Sequence, residues 1–310
     1  MNVLSLFDGI STGQYALRSL SPKLPIQYFS SEVDPYAIAI TRYNYPDTIF
    51  LGDVKDITPD QLPTIDLLIG GSPCTGFSNI GKLKNFEDPQ SKLFFEFVRL
   101  LNELSPTYFL LENVKMKKEW VDRISSEVKV KPLLINSALV SAQSRHRFYW
   151  TNIPNVQLPD DRNIMLRDIL GKEVNPACII GRKVDLADET LKRQDNNTDL
   201  KHQRCLEVRA ENKAYCMTTT STSSLYSTLS AGRYLRDSCF GQFTNFTSEE
   251  REAIQTLPSG FTEKGIDANG EEVTISKTQR LKTLGNGWTA EVIKHLLGFI
   301  PELSLFRKGN

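Results

Sequence analysis

Cys74 ends the run Gly71-Ser72-Pro73-Cys74. A lone cysteine is most often an inert, small apolar residue. Directly after a turn rich in Gly and Pro, and before the polar stretch 75–92, a thiol is instead held out as an exposed nucleophile backed by a loop that can close. Lys82, Lys84 and Lys92 lie in that stretch. Glu112 follows the apolar Phe109-Leu110-Leu111 and opens Glu112-Asn113-Val114. A partly buried carboxyl that leaves an apolar strand beside a cysteine suits proton transfer. A solvated end-of-strand carboxylate is the bland alternative. Arg145 and Arg147 alternate in Gln143-Ser144-Arg145-His146-Arg147. On a strand they share one face, where they can orient a carboxylate or take a phosphate. By themselves they read equally well as surface arginines.

A second set suits a nucleoside. Phe7-Asp8-Gly9-Ile10-Ser11-Thr12-Gly13 places glycines in a strand-to-helix turn, where a ligand can approach the backbone. Glu32, before Val33, ends the next strand and is placed to hold ribose hydroxyls. Asp53 ends the third, in reach of an adenine amino group. The turn is not GxGxxG, so a nucleoside without a pyrophosphate fits it better. Ligands in such sheets bind at the carboxyl ends of the strands.

These residues need a frame. Strands are predicted over 2–7, 28–31, 48–51, 65–70, 107–111 and 145–150, and helices over 12–20, 35–43 and 93–104. Alternation of this kind implies a parallel sheet covered by helices. Residues 155–241 are polar, irregular and rich in Ser and Thr, with no βαβ period, and read as a smaller lobe. Helical spacing returns over 248–257 and 289–300. Val292, Ile293, Leu296 and Leu297 predict that the last helix is buried on the first domain.

The chain has 310 residues, 40% hydrophobic and 24% charged, enough for a large core. Lys plus Arg and Asp plus Glu both total 37, which argues against attachment to nucleic acid by bulk charge but allows a local basic cleft. Five cysteines without CxxC spacing predict neither a zinc site nor a disulfide framework, and fit a reducing compartment. No metal is expected. There is no signal-peptide pattern and no apolar run of about 18 residues, so no membrane partner is expected.

The ordered set Phe7–Gly13, Glu32, Asp53, Pro73-Cys74, Glu112-Asn113-Val114, Gln143-x-Arg145-x-Arg147 and Gly285-Asn286 resembles the cytosine-C5 DNA methyltransferases over nearly the whole chain. Several motifs look close to the animal de novo branch, on a bare catalytic unit of bacterial or viral type. The resemblance implies an α/β, Rossmann-like S-adenosylmethionine-dependent sheet. It also implies a catalytic domain over 1–154, target recognition over 155–241, and a remainder with a return to the catalytic domain over 242–310. Cys74 would attack cytosine C6, Glu112 would hold N3 and the amino group, and Arg145, with Arg147, would orient the base. Phe7, Asp8, Gly9, Gly13, Glu32, Val33, Asp53, Pro73, Leu93 and Asn286 would hold S-adenosylmethionine, released as S-adenosylhomocysteine. Expected partners are double-stranded DNA and a cognate restriction endonuclease, for a monomer in the cytoplasm of a bacterial or virus-infected cell, or in a eukaryotic nucleus. The alternatives are a tRNA cytosine methyltransferase of the same fold and a non-catalytic DNA-binding accessory protein.

Overall fold

In the computed structural model, the described residues are 1–73, 93–188, 190, 191, 194 and 199–304. Cys74, the stretch 75–92 and its three lysines lie outside them.

The first lobe alternates as expected: β1 (Asn2–Leu6), α1 (Thr12–Leu20), β2 (Gln27–Ser31), α2 (Pro35–Asn44), β3 (Ile49–Phe50), β4 (Leu67–Gly71), α3 (Leu93–Leu104) and β5 (Tyr108–Val114). Next come α4 (Lys118–Val128), β6 (Leu133–Asn136) and β7 (His146–Thr151). Their sheet has the order β3-β2-β1-β4-β5-β7-β6. It is parallel from β3 through β5, but β7 runs antiparallel to both β5 and β6. The sheet is therefore mixed rather than wholly parallel. The link from β6 to β7 is too short for the crossover that parallel neighbours need.

Strand periodicity sorts side chains onto two faces. Val3, Leu67, Ile69 and Leu110 pack with Ala16 and Leu17 of α1. Leu4, Leu6, Leu68, Phe109 and Leu111 pack on the other face with Phe94 and Phe97 of α3 and Ile124 of α4.

The second lobe is less irregular than its composition suggests. After α5 (Leu166–Leu170) come β8 (Asn175–Lys183), β9 (His202–Val208), β10 (Leu225–Ser227), β11 (Gly232–Leu235) and β12 (Phe243–Asn245). They form an antiparallel sheet in the order β11-β9-β8-β10-β12. Its last strand, β12, lies beyond Gly241.

The chain then returns through α6 (Ser248–Ile254), the hairpin of β13 (Lys264–Ile266) and β14 (Glu272–Thr274), α7 (Lys277–Asn286), α8 (Ala290–Leu297) and α9 (Pro301–Ser304). Val292, Ile293, Leu296 and Leu297 of α8 are fully buried in the α1 face of the first sheet.

Candidate active site

Strand order reverses beside β1, whose neighbours are β2 and β4. Crevices open at the carboxyl edge of a sheet at such a point. Here a cleft of about 550 Å³ is lined by residues following β1, β2, β3 and β4, by the last residues of β5, and by the turn between α7 and α8.

One end carries the expected cofactor residues. Phe7, Asp8, Gly9, Glu32, Val33, Asp53, Pro73, Leu93 and Asn286 all line the cleft. Glu32 ties two turns together: Oε2 accepts from Gly9 N–H at 2.7 Å, and Oε1 accepts from the N–H groups of Val33 and Asp34 at 2.7 and 2.8 Å. Gly9 has φ +59°, and a side chain there would project into open space. The backbone is thus bare where a ligand would lie, and it occupies a conformation that glycine tolerates. Asp53 accepts from Lys55 N–H at 3.1 Å and pairs with its ammonium at 3.3 Å.

Asp34 caps α2 and pairs with Lys282 of α7 at 2.6 Å, joining two walls of the cleft. Partial burial works to raise the Asp34 carboxyl, but the hydrogen bond from Lys282 and the α2 amides outweigh it and hold it low.

Two residues of the first motif behave differently. The Asp8 carboxylate faces inward, with Oδ1 accepting from Ser5 at 2.6 Å and Tyr28 at 2.8 Å, and Oδ2 from Ser11 and from Ser30 at 2.8 Å. It braces β1, β2 and the turn. Gly13 does not line the cleft. It is buried against the sheet, and a side chain there would strike Ile69 and the Tyr28 hydroxyl.

At the other end stands Glu112, only 8% exposed. Alternation along β5 turns it to the α1 face, two places beyond Leu110. Arg147 Nε donates to Glu112 Oε1 at 2.9 Å, and the Trp288 indole N–H to Oε2 at 3.2 Å. Asn113 donates to Ser72 Oγ at 3.0 Å, which secures the turn leading to Pro73.

The two arginines line the same cleft but differ in task. Arg145 is buried, and its guanidinium donates to the carbonyls of Met217, Gly285 and Gly287 at 2.9, 3.3 and 2.9 Å. It fastens the second lobe and the returning chain to the first. Its charge is desolvated, which lowers its basicity, and Arg147 adds to that. Arg147 is instead paired with Glu112.

Gln143 joins the lobes from below, donating to Gln255 Oε1 at 2.8 Å and accepting from Met217 N–H at 3.3 Å.

Trp288 and Cys216 are absent from the sequence-based set. Cys216 Sγ lies 3.4 Å from Arg145 Nη1 and 3.9 Å from Arg147 Nη2. Burial works to raise this thiol, but the two guanidiniums outweigh it and hold it below the usual range. Cys216 has no flanking motif to mark it. A tryptophan directly after Gly285-Asn286-Gly287, just before an amphipathic helix, was a usable signal for Trp288.

In the second lobe, Arg204 is exposed, Arg209 lies over the Tyr215 ring at 3.6 Å, and Arg236 pairs with Asp237 at 3.4 Å. Among the described residues, no cluster of three His, Cys, Asp or Glu side chains could hold a metal, and no helix is long and apolar enough to cross a membrane.

A family model described as C-5 cytosine-specific DNA methylase matches residues 1–301. An orphan methyltransferase of Bacillus phage rho11s, M.Rho11sI, is 43% identical over 117 residues, covering 37% of this chain and 23% of its own length. The chain thus spans under a quarter of that relative. The Type II methyltransferase M1.ScrFI of Lactococcus lactis subsp. cremoris is 27% identical over 301 residues, covering 92% of this chain and 74% of its own. The structure of the Entamoeba histolytica methyltransferase EhMeth superposes with a TM-score of 0.68 over 97% of this chain and 98% of that one, at 18% identity.

Proposed function

Because the chain belongs to the C-5 cytosine-specific DNA methylase family, we propose that it transfers a methyl group from S-adenosylmethionine to carbon 5 of a cytosine in duplex DNA. The observation that carries this reading is the shared cleft. The strand-end acids suited to a nucleoside, Glu112 and the Ser72-Pro73 turn all line it.

The cleft suits this cofactor. Glu32, Asp34 and Asp53 offer acceptors to ribose, adenine and ammonium groups, and would repel a pyrophosphate. Phe7 offers a ring face, and Asn286 closes the opposite wall. When bound, S-adenosylmethionine supplies an electrophilic methyl group on its sulfonium.

Cys74, the residue after Pro73, is the nucleophile for C6 of the base. Glu112 holds the ring N3 and exocyclic amino group and keeps a proton at N3 as the ring gains electron density. Arg147 holds Glu112, and Arg145 holds the walls together. When the C5 proton leaves, the C6–S bond breaks and the Cys74 thiolate is released. A base inside a duplex cannot reach such a cleft, so it must be flipped out, at a cost of a few kcal/mol of unstacking. The second lobe supplies the surface that reads the surrounding sequence.

Labelled cofactor incubated with duplex DNA and, separately, with tRNA tests the substrate. Label is expected on DNA, and label on tRNA alone would replace DNA with RNA. Cys74→Ser should abolish transfer and retain cofactor binding. A duplex with 5-fluorocytosine at the target should trap the wild type covalently. An active enzyme that never traps would refute the covalent route.

A further inference from the structure

We infer that Trp288 is a positioning residue, whose indole N–H aims the Glu112 carboxylate at the pyrimidine edge. The inference rests on the reading of Glu112 given above. A carboxylate turns easily about its terminal torsion, whose wells are broad. Arg147 Nε pairs with Oε1 at 2.9 Å. Trp288 Nε1 holds Oε2, at 3.2 Å, from a different element. Each carboxylate oxygen accepts more than one hydrogen bond, so both keep capacity for a base.

The surroundings are shaped to the indole. A side chain at Gly71 would lie 2.8 Å from Trp288 Nε1 and 2.9 Å from Glu112 Oε2, and one at Gly13 would lie 3.5 Å from Trp288 Cζ3. Gly71, on β4, thus leaves the space that the ring fills, and Gly13, on α1, is in ordinary contact with it. The backbone beside it is pinned as well. Gly287 O accepts from Arg145 at 2.9 Å, and Thr289 Oγ1 donates to Ser137 Oγ at 2.9 Å. Packing alone would be served by any ring of this size, whereas the hydrogen bond to Glu112 needs the N–H.

Trp288→Phe keeps most of the ring and removes the donor. Its kcat should fall about tenfold, as for a lost hydrogen bond to a charged group, with Kd for S-adenosylmethionine within about twofold of wild type. Gly71→Ala, which crowds the same pair from the other side, should show the same kcat loss with cofactor affinity retained. It carries the test alone if Trp288→Phe fails to bind cofactor. Wild-type turnover in Trp288→Phe, beside an inactive Glu112→Gln, would overturn the inference alone. Full activity in Glu112→Gln would overturn the reading of Glu112 and the inference with it.

Discussion

Four hydroxyls converge on the buried Asp8 carboxylate. Burial raises its pKa, and the hydroxyl donors only partly offset that. A carboxyl whose folded pKa lies above its unfolded value contributes stability that is fully present below the unfolded value and is lost as pH rises through the folded one. The urea midpoint of the wild type should therefore decline as pH climbs past the ordinary carboxylate range, and Asp8→Asn should flatten that decline. An equally steep decline in Asp8→Asn would assign the effect to another group. Glu32 and Asp53 differ because they close strands at the open edge. Replacing either with Ala should weaken cofactor binding by roughly 1–3 kcal/mol, and calorimetry showing unchanged affinity in both would refute their assignment. The places of Glu32, Asp53 and Glu112 on the cleft were legible in the sequence because each follows an apolar run. The inward turn of Asp8 was not. It depends on Ser30 lying beside Ser5 across the β1–β2 pairing, which no single strand reveals.

The returning helix α7 meets the second lobe at Gly285. A side chain there would overlap the backbone of Thr218 and Thr219. Gly285→Ala should lower stability by about 1–3 kcal/mol, the usual cost of overpacking, and reduce turnover more than cofactor affinity, because the loop carrying Cys216 and Met217 is displaced. Equilibrium unfolding and kinetics on one preparation would separate the two effects, and an unaltered kcat would show that the contact is only structural. Helices α3 and α8 were legible because their apolar residues recur at helical spacing over several turns. The antiparallel sheet of the second lobe was not. Its strands β10 and β12 have three residues each, too few for alternation to register, and β7 reverses direction without any local sign.

At the scale of the whole molecule, the second lobe lies in the chain between the first sheet and the helix α8 that packs on it. Exchanging it for that of a relative of known specificity should change which cytosine is methylated, as mapped by bisulfite sequencing. The exchange should run past Asn245 so that β12 moves with its sheet. A folded hybrid that still modifies the original sites would place specificity elsewhere, in the stretch after Cys74. The second lobe was visible as a loss of βαβ period, but the place of β12 in its sheet was not, because the pairing of β12 with β10 is a long-range property. The same layout also orders events in time. Glu112 and both arginines leave the ribosome well before Gly285, Gly287 and Trp288, which Arg145 and Glu112 await as partners. A nascent or prematurely released chain therefore holds Glu112 without Trp288, the residue that meets its second oxygen.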